Sequence, residues 1–462
     1  MSPRPGTAEQ FTVLRSFLLD AGYDEDSVRA RMGIAALSES LKMQATGPPD
    51  DVLEALIHLF LLGVTLDAAR FLPAGILNLL QELGLLQAAG GGFIATVELY
   101  PVRHLHIVSD RNRGDELPPG EDKVFSAITP QTEEFLAMLP ETPCPSLLEL
   151  CSGAGAAALL AASRYAVQAF AYDLSPRSAR FAEFNRKLNG IENATVRQGD
   201  LYAPAGRRTF DRIVAHPPYV PALHATELLR DGGEIGEDLT HRIIAGLPTF
   251  LHPGGRLYCL ALLAQTQDEP LEQRVRGWLR EAERDFDVVI VALRRMDPAR
   301  VVFDNWRERH AQPGDIARWQ YLIKHRRIQA FVHAAILVQK RTDEREVVTL
   351  ARESGGPYPR EAVEALLVPE ADIWSARVEA SPGIRMTKVS ELAGGWSAET
   401  LRFSAEAPFR FSWEGPRWVA GFLAACDGRC TGRGLLPPGV APADFERAVR
   451  QLASGGLLRL RM

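Results

Sequence analysis

Between Ser146 and about Arg341, short apolar runs alternate with helical stretches, and nothing else in the chain limits its fold so strongly. The runs are Leu147–Leu150, Ala169–Tyr172, Thr195–Gln198, Arg212–Ala215, Arg256–Leu263, Val288–Leu293 and Val332–Val338. Uninterrupted apolar strands separated by helices predict an α/β domain, with a mostly parallel sheet covered on both faces. Ligands of such sheets lie at the carboxyl ends of the strands.

Composition matters here for what it excludes. A chain of 462 residues, 46 % hydrophobic and 24 % charged, is long enough for two to four domains and is not wholly disordered. Its net charge of −6 excludes a chain-wide basic coat for nucleic acid, though not a local patch. The cysteines Cys144, Cys151, Cys259, Cys426 and Cys430 are few and odd in number. Cys426 and Cys430 lack a second Cys or His pair nearby, so free thiols in a reducing cytosol are expected, and no metal site. The first ten residues have no apolar signal core, and the longest apolar stretch, Ala55 to Leu66, contains His58 and is too short for a bilayer. A soluble cytoplasmic protein is expected.

Residues 1–110 read as a helical, winged-helix domain. Asp50-Asp51 caps an apolar run from Val52 to Leu62, and a second helix covers 73–86. Gly90-Gly91-Gly92 then precedes strand-like runs Phe93–Leu99 and His104–Val108, a pattern that serves DNA reading and protein docking alike. Residues 111–135 form a linker and gate segment, polar and Pro/Gly-rich from 109 to 122. The α/β domain spans 136–341. Residues 342–462 form a C-terminal α+β domain: 401–413 alternate like strands, and from Trp418 the chain reads helix, turn, helix, Gly455-Gly456 and strand, a second winged-helix-like unit.

Four chemistry-bearing signals follow the strand order. The first strand carries Glu149 near its end, and a turn with Gly153 and Gly155 opens a helix; small residues there let backbone approach a ligand. Asp173 ends the second strand, about 20 residues beyond the glycines, where an acid can accept both hydroxyls of a ribose or cap the helix beginning at Pro176. Asp200 follows the third strand, where it can accept from an adenine amino group or serve as a turn residue. The fourth strand ends in His216-Pro217-Pro218-Tyr219, whose two prolines fix a rigid turn and with it the His216 and Tyr219 side chains.

This ordered set resembles the class I S-adenosylmethionine-dependent methyltransferases, and among them the HemK-type protein-glutamine N5-methyltransferases, whose fourth strand ends Asn-Pro-Pro-Tyr. Thr129-Pro130-Gln131-Thr132-Glu133 is similar to that family's Arg-Pro-Glu-Thr-Glu, Arg230-Asp231-Gly232-Gly233-Glu234-Ile235-Gly236 to its Asp-Gly-Gly-x-x-Gly, and Pro253-Gly254-Gly255 to its lead into the fifth strand. The resemblance covers about residues 123–341. It implies a Rossmann-like seven-stranded core that uses S-adenosylmethionine. Thr132, Glu149, Gly153, Gly155, Asp173 and Asp200 would lie at the cofactor, and His216, Pro217, Pro218 and Tyr219 at the methyl acceptor. Three positions depart from the pattern: Cys151 stands for the first glycine, Glu149 for the usual Asp, and His216 for the Asn. The flanking regions have no HemK-type counterpart.

The implied acceptor is a nitrogen of a protein, peptide, amino-acid-like compound or other small-molecule amine. An adenine-N6 methyltransferase on RNA or DNA, and a non-catalytic S-adenosylmethionine-binding regulator acting on DNA, are the alternatives. Unlike Asn, a histidine with an ordinary pKa near 6.5 can also take a proton, so a base role for His216 is expected beside hydrogen-bond acceptance. An insertion at 294–329 holds Trp306, Trp319 and Tyr321. From Arg300 to Arg341, nine Lys/Arg face three Asp/Glu, which suits phosphates, an acidic peptide, or a solvated helix from Gly314 to Arg327.

Overall fold

A computed structural model of the chain describes residues 2–111, 122–223, 230–309, 313–367, 372–389 and 400–461. Residues 112–121 of the expected linker, and the side chain of Trp306, lie outside the described residues. The chain is α/β. Its central sheet has eight strands, numbered here along the chain: β1 Cys144–Leu150, β2 Ala166–Asp173, β3 Ala194–Gln198, β4 Phe210–Ala215, β5 Leu251–Thr266, β6 Phe286–Met296, β7 Ile328–Lys340 and β8 Thr349–Glu353. Their order in space is β8-β6-β7-β5-β4-β1-β2-β3. β1 to β5 pair in parallel, β7 runs antiparallel to β6, and β8 parallel to β6. All seven expected strands are present. The eighth, Thr-Leu-Ala-Arg-Glu, joins through its backbone; none of its residues is buried, so it carries no apolar run to announce it.

Contacts divide the chain inside β5, into Met1–Ala261 and Leu262–Met462. In the first unit, the helix Ala156–Arg164 after β1 buries seven of its residues, as its alanine-rich sequence requires. The helix Pro176–Leu188 after β2 has proline at its first position and the Ser175 hydroxyl as cap, accepting from Arg177 N at 3.2 Å and Ser178 N at 3.4 Å. Ahead of the sheet come helices Ala8–Asp20, Glu25–Met32, Val52–Phe60 and Ala74–Glu82. Asp51 caps the third of these by accepting from Glu54 N at 2.9 Å.

Two hairpins follow where two strand-like runs were expected. Leu86–Ala89 pairs with Gly92–Ala95 across Gly90 and Gly91, both at positive φ, and Glu98–Val102 pairs with Leu105–Ser109. The run Phe93–Leu99 is broken where Thr96 turns its hydroxyl to Gly84 O at 2.5 Å and its N–H to Leu85 O at 3.0 Å. Both strands of the second hairpin are buried along their whole length. One of its edges is closed by side chains instead of another strand. Asn185 donates to Val108 O at 3.0 Å and accepts from Val108 N at 2.8 Å; one helical turn on, Asn189 donates to His106 O at 2.7 Å and accepts from His106 N at 2.9 Å. Residues four apart on a helix thus match residues two apart on a strand.

In the second unit, helices Pro298–Arg309 and Pro313–His325 lie between β6 and β7. Trp319 is buried, while Tyr321 is exposed and stacks on His325 at 5.4 Å. Beyond β8, two three-stranded sheets, of orders Asp427–Thr431/Arg377–Ala380/Leu458–Arg461 and Arg385–Val389/Thr400–Ala405/Phe411–Gly415, share a core of Val378, Phe403, Phe422, Phe445, Val449 and Leu452 with helices Trp418–Ala425 and Pro442–Ser454. The expected turn between those helices contains the strand Asp427–Thr431.

Candidate active site

The carboxyl ends of β1, β2 and β4 open on a cavity of about 480 Å³ in the first unit. After β1 the chain passes through Cys151 at φ +55°, Gly153 at +51° and Gly155 at +79°. A non-glycine residue at positive φ is uncommon, and Cys151 adopts one at the turn out of β1. A Cβ on Gly153 would meet nothing within 4 Å; one on Gly155 would lie 3.0 Å from the Ala182 Cβ. Gly153 therefore keeps the cavity wall bare. Gly155 does not line the cavity: it lets helix Ala156–Arg164 pack against helix Pro176–Leu188.

Glu149 lines the cavity, and its carboxyl also reaches over the same helix, which has no side-chain cap of its own. It accepts from Ala158 N at 2.8 Å and Ala157 N at 3.4 Å, so it satisfies two of the free amides at the helix start. Burial pushes this carboxyl up to about 8. Asp173 accepts from Gly153 N at 2.7 Å through Oδ2 and from Ser175 N at 2.9 Å through Oδ1. It does not cap the next helix; Ser175 does. Each Asp173 oxygen retains acceptor capacity, and burial raises this carboxyl too. Asp200 is exposed and pairs with Arg242 at 2.6 Å. Thr132 lines the cavity from helix Pro130–Met138, where its N–H donates to the cap Thr129 Oγ at 3.3 Å. Its neighbour Glu133 turns away, accepting from Ser38 N at 3.0 Å and Ser38 Oγ at 2.6 Å.

His216, Pro217, Pro218 and Tyr219 all line the cavity. The His216 ring lies between Phe135, 5.3 Å away between centroids, and Tyr219, 5.5 Å away. Among the described residues its nitrogens have no hydrogen-bond partner, and burial lowers its pKa from 6.5 to about 4. Burial thus works against the proton uptake expected of this imidazole. The turn is braced by the Asp-Gly-Gly segment: Val220 N donates to Arg230 O at 2.8 Å and Gly232 N to Val220 O at 2.9 Å. A Cβ on Gly232 would fall 2.6 Å from Gly236 O and 2.7 Å from Tyr219 Cα, and one on Gly236 would strike the Tyr219 carbonyl. Glycine is required there by close approach of two backbones.

Sequence reasoning missed several lining residues. Ser152 is buried, and its hydroxyl has no partner among the described residues. Phe125, Phe135 and Leu201 add apolar surface. Ser152 stands within the glycine turn and Leu201 beside Asp200, but Phe125 and Phe135 stand in no short motif. For S-adenosylmethionine, the residues fit: Asp173 offers acceptors to ribose hydroxyls, Ser152 an unused hydroxyl, Gly153 bare backbone, and the apolar residues a surface for a flat base.

Residues 121–289 match the family model of the methyltransferase small domain. The chain is 31 % identical over 169 residues to the ribosomal protein uL3 glutamine methyltransferase of Bradyrhizobium diazoefficiens, a match covering 34 % of this chain and 53 % of that protein. It is 30 % identical over 137 residues to the release factor glutamine methyltransferase of Geobacter sulfurreducens, covering 27 % and 47 %. The chain spans about half the length of the curated relatives it matches. Among solved structures, a ribosomal protein L11 methylase from Lactobacillus delbrueckii aligns over 52 % of this chain and 97 % of its own at 19 % identity, but with a TM-score of 0.29 it carries no argument. The matched segment, its ordered motifs and the parallel sheet that carries them make the central domain similar to the class I S-adenosylmethionine-dependent methyltransferases of HemK type.

Proposed function

We propose that this chain methylates a nitrogen of a protein acceptor, and that the nitrogen is a side-chain amide such as glutamine, as the names of its relatives say of theirs. The observation that carries this reading is the placement of His216: its ring lines the cavity, flanked by Phe135 and Tyr219, where burial lowers its pKa. At physiological pH such a ring is neutral and offers one unprotonated nitrogen. It accepts an N–H of the acceptor and so turns the nitrogen lone pair toward the methyl; the Tyr219 ring flanks the acceptor plane. S-adenosylmethionine, when bound, would supply the methyl on its sulfonium and leave as the neutral thioether, and the methylated nitrogen would give up one proton to water. A conjugate acid with pKa near 4 holds a proton poorly at neutral pH, so positioning outweighs base catalysis at His216. An amide suits this arrangement, because it is the delocalised lone pair that needs orienting. No observation favours the adenine or regulator reading over this one.

The flanking regions choose the acceptor in this reading. Residues 52–95 support a winged-helix-like docking unit: helix Val52–Phe60, a bridge from Leu66 to Phe93, helix Ala74–Glu82 and a hairpin follow one another. No helix among the described residues is long and apolar enough to cross a membrane, and all five cysteines are free, which supports a place in the cytoplasm. The test is a labelling experiment. Purified protein and methyl-labelled S-adenosylmethionine are added to a lysate of cells lacking the protein. Label on a glutamine of one protein is the expected result; label confined to nucleic acid would reject the reading.

A further inference from the structure

The segment Asp122–Thr129 forms one wall of the cavity through Lys123, Phe125, Ser126 and Ala127 among others, yet it is neither strand nor helix. Its shape is imposed by what it is tied to. Asp110 N donates to Val124 O at 3.1 Å, and Val124 N donates to Asp110 Oδ2 at 2.7 Å. Arg177 grips both oxygens of Asp110, with a 2.6 Å bond to Oδ1 and a second bond to Oδ2, and donates to Asp122 O at 3.1 Å. Tyr100 OH accepts from Ala127 N at 2.7 Å. Asp110 and Arg177 are each only 3 % exposed. Asp110 follows the buried hairpin, and Arg177 stands in the first turn of the helix that begins just beyond Asp173.

A buried ion pair is a poor device for stability alone, since well-packed apolar residues often do as well. This pair does more than neutralise itself: each partner also holds backbone of the same wall. We propose that Asp110 and Arg177 are positioning residues for the cofactor, fixing the wall Asp122–Thr129 in its binding shape before the ligand arrives; this rests on reading the cavity as a S-adenosylmethionine site. A preformed wall removes the ordering cost that binding would otherwise carry. The N-terminal hairpin thereby belongs to the cofactor site, although every cofactor motif lies beyond residue 122.

The test titrates the full-length chain with S-adenosylhomocysteine in a calorimeter. Arg177→Met is compared with Arg212→Met, a likewise buried arginine that donates to Pro140 O at 2.8 Å and Thr142 Oγ1 at 2.9 Å and does not line the cavity. Both variants are expected to unfold at lower temperature. Only Arg177→Met should raise the Kd, by roughly tenfold or more, as for loss of a charge-assisted hydrogen-bond set. Arg212→Met should stay within about twofold of wild type, because a stability loss in a still-folded chain leaves the site's affinity alone. An unchanged Kd in Arg177→Met, or an equal rise in Arg212→Met, overturns the proposal. Should Arg177→Met not fold, Tyr100→Phe removes one tie without a charge: a Kd raised about threefold supports the pair's wall, and wild-type affinity overturns it. A wild-type chain that binds no S-adenosylhomocysteine overturns the cofactor reading itself, and is distinguished by failing before any variant is compared.

Discussion

Two walls of one cavity are built by opposite means. The wall made by the ends of β1, β2 and β4 is held by its own strands: Asp173 is the last paired residue of β2, His216 directly follows the paired Ala215, and Asp173 ties down Gly153, three residues beyond β1. The wall Asp122–Thr129 has no ladder and hangs on Asp110, Tyr100 and Arg177. A strand-end wall can carry groups whose placement decides chemistry, because a sheet tolerates little local movement. A tethered wall can enclose a ligand and be lost without disturbing the reacting groups. Substitutions in the first should therefore change rate or binding according to the group touched, and substitutions in the second should change binding alone.

The strongest test of this difference is His216→Ala. It removes the acceptor nitrogen and leaves Pro217, Pro218 and the glycine brace intact. A loss of about 10²–10³ in kcat is expected, the range for removing one preorganised hydrogen-bonding group. S-adenosylhomocysteine affinity should stay within about threefold, since the residue meets the acceptor and not the cofactor. Single-turnover rates and calorimetry separate the two. Equal damage to binding and rate would break the comparison, because the strand-end wall would then act as one unit with the tethered one.

Asp173→Ala should follow in size. Loss of a charged hydrogen-bond partner costs about 1–3 kcal/mol, so cofactor affinity should fall by roughly 10- to 100-fold. The Gly153 N–H also loses its acceptor. Asp173→Asn, which keeps one carbonyl oxygen, should recover part of the loss. Wild-type affinity in a folded Asp173→Ala chain would remove this residue from the cofactor site.

How far each wall was legible follows from the same contrast. Strand-end residues announce themselves because their neighbours in space are also neighbours in sequence: the glycine turn, the acid after β2 and the double proline after β4 are each a few residues long. The tethered wall is invisible for the opposite reason. Arg177 and Asp110 are 67 residues apart, and neither stands in a motif. Gly155 looked like a second ligand-facing glycine, but spacing cannot tell a bare wall from a tight helix crossing. Asp200 gave no sign of its partner Arg242, 42 residues on. The burial of His216, beside a Phe135 ring that comes from a helix outside the sheet, was not legible from its motif. The departures at Cys151 and His216 were legible as departures, and only geometry gave their meaning.

Acid–base behaviour sharpens the comparison within the strand-end wall. The Glu149 carboxyl, raised by burial from 4.5 to about 8, holds a proton in the folded chain at pH values where the unfolded chain has lost it. Its contribution to stability is therefore present below pH 4.5 and is lost as pH rises toward and through 8. His216 acts with the opposite slope: its folded pKa is depressed, so its contribution is present above 6.5 and is lost as pH falls toward 4. Glu149→Gln keeps an acceptor for the Ala158 N–H and removes the titration. Its unfolding midpoint should be flatter than that of the wild type between pH 6 and pH 8, measured by circular dichroism at matched ionic strength. An unchanged slope would mean that Glu149 is ionised in the folded state.

The smallest effect is expected at Asp200, and it marks where the strand-end wall stops being rigid. Its carboxylate pairs with Arg242 at 2.6 Å, but both side chains are about half exposed. Water screens such a pair, and exposed pairs contribute about 0–1 kcal/mol. Asp200→Asn keeps an acceptor oxygen toward the cavity and gives up only the charge. Cofactor affinity should therefore fall by no more than about threefold, and the unfolding midpoint should shift little. Salt supplies the check on the cause: added sodium chloride should narrow the gap between Asp200→Asn and wild type, because it weakens the exposed pair in the wild type alone. A fall as large as that for Asp173→Ala, unaffected by salt, would mean that Asp200 leaves Arg242 and is desolvated against the ligand. Strand-end rigidity would then extend through the loop after β3, and the contrast between the two walls would rest on Asp110 and Arg177 alone.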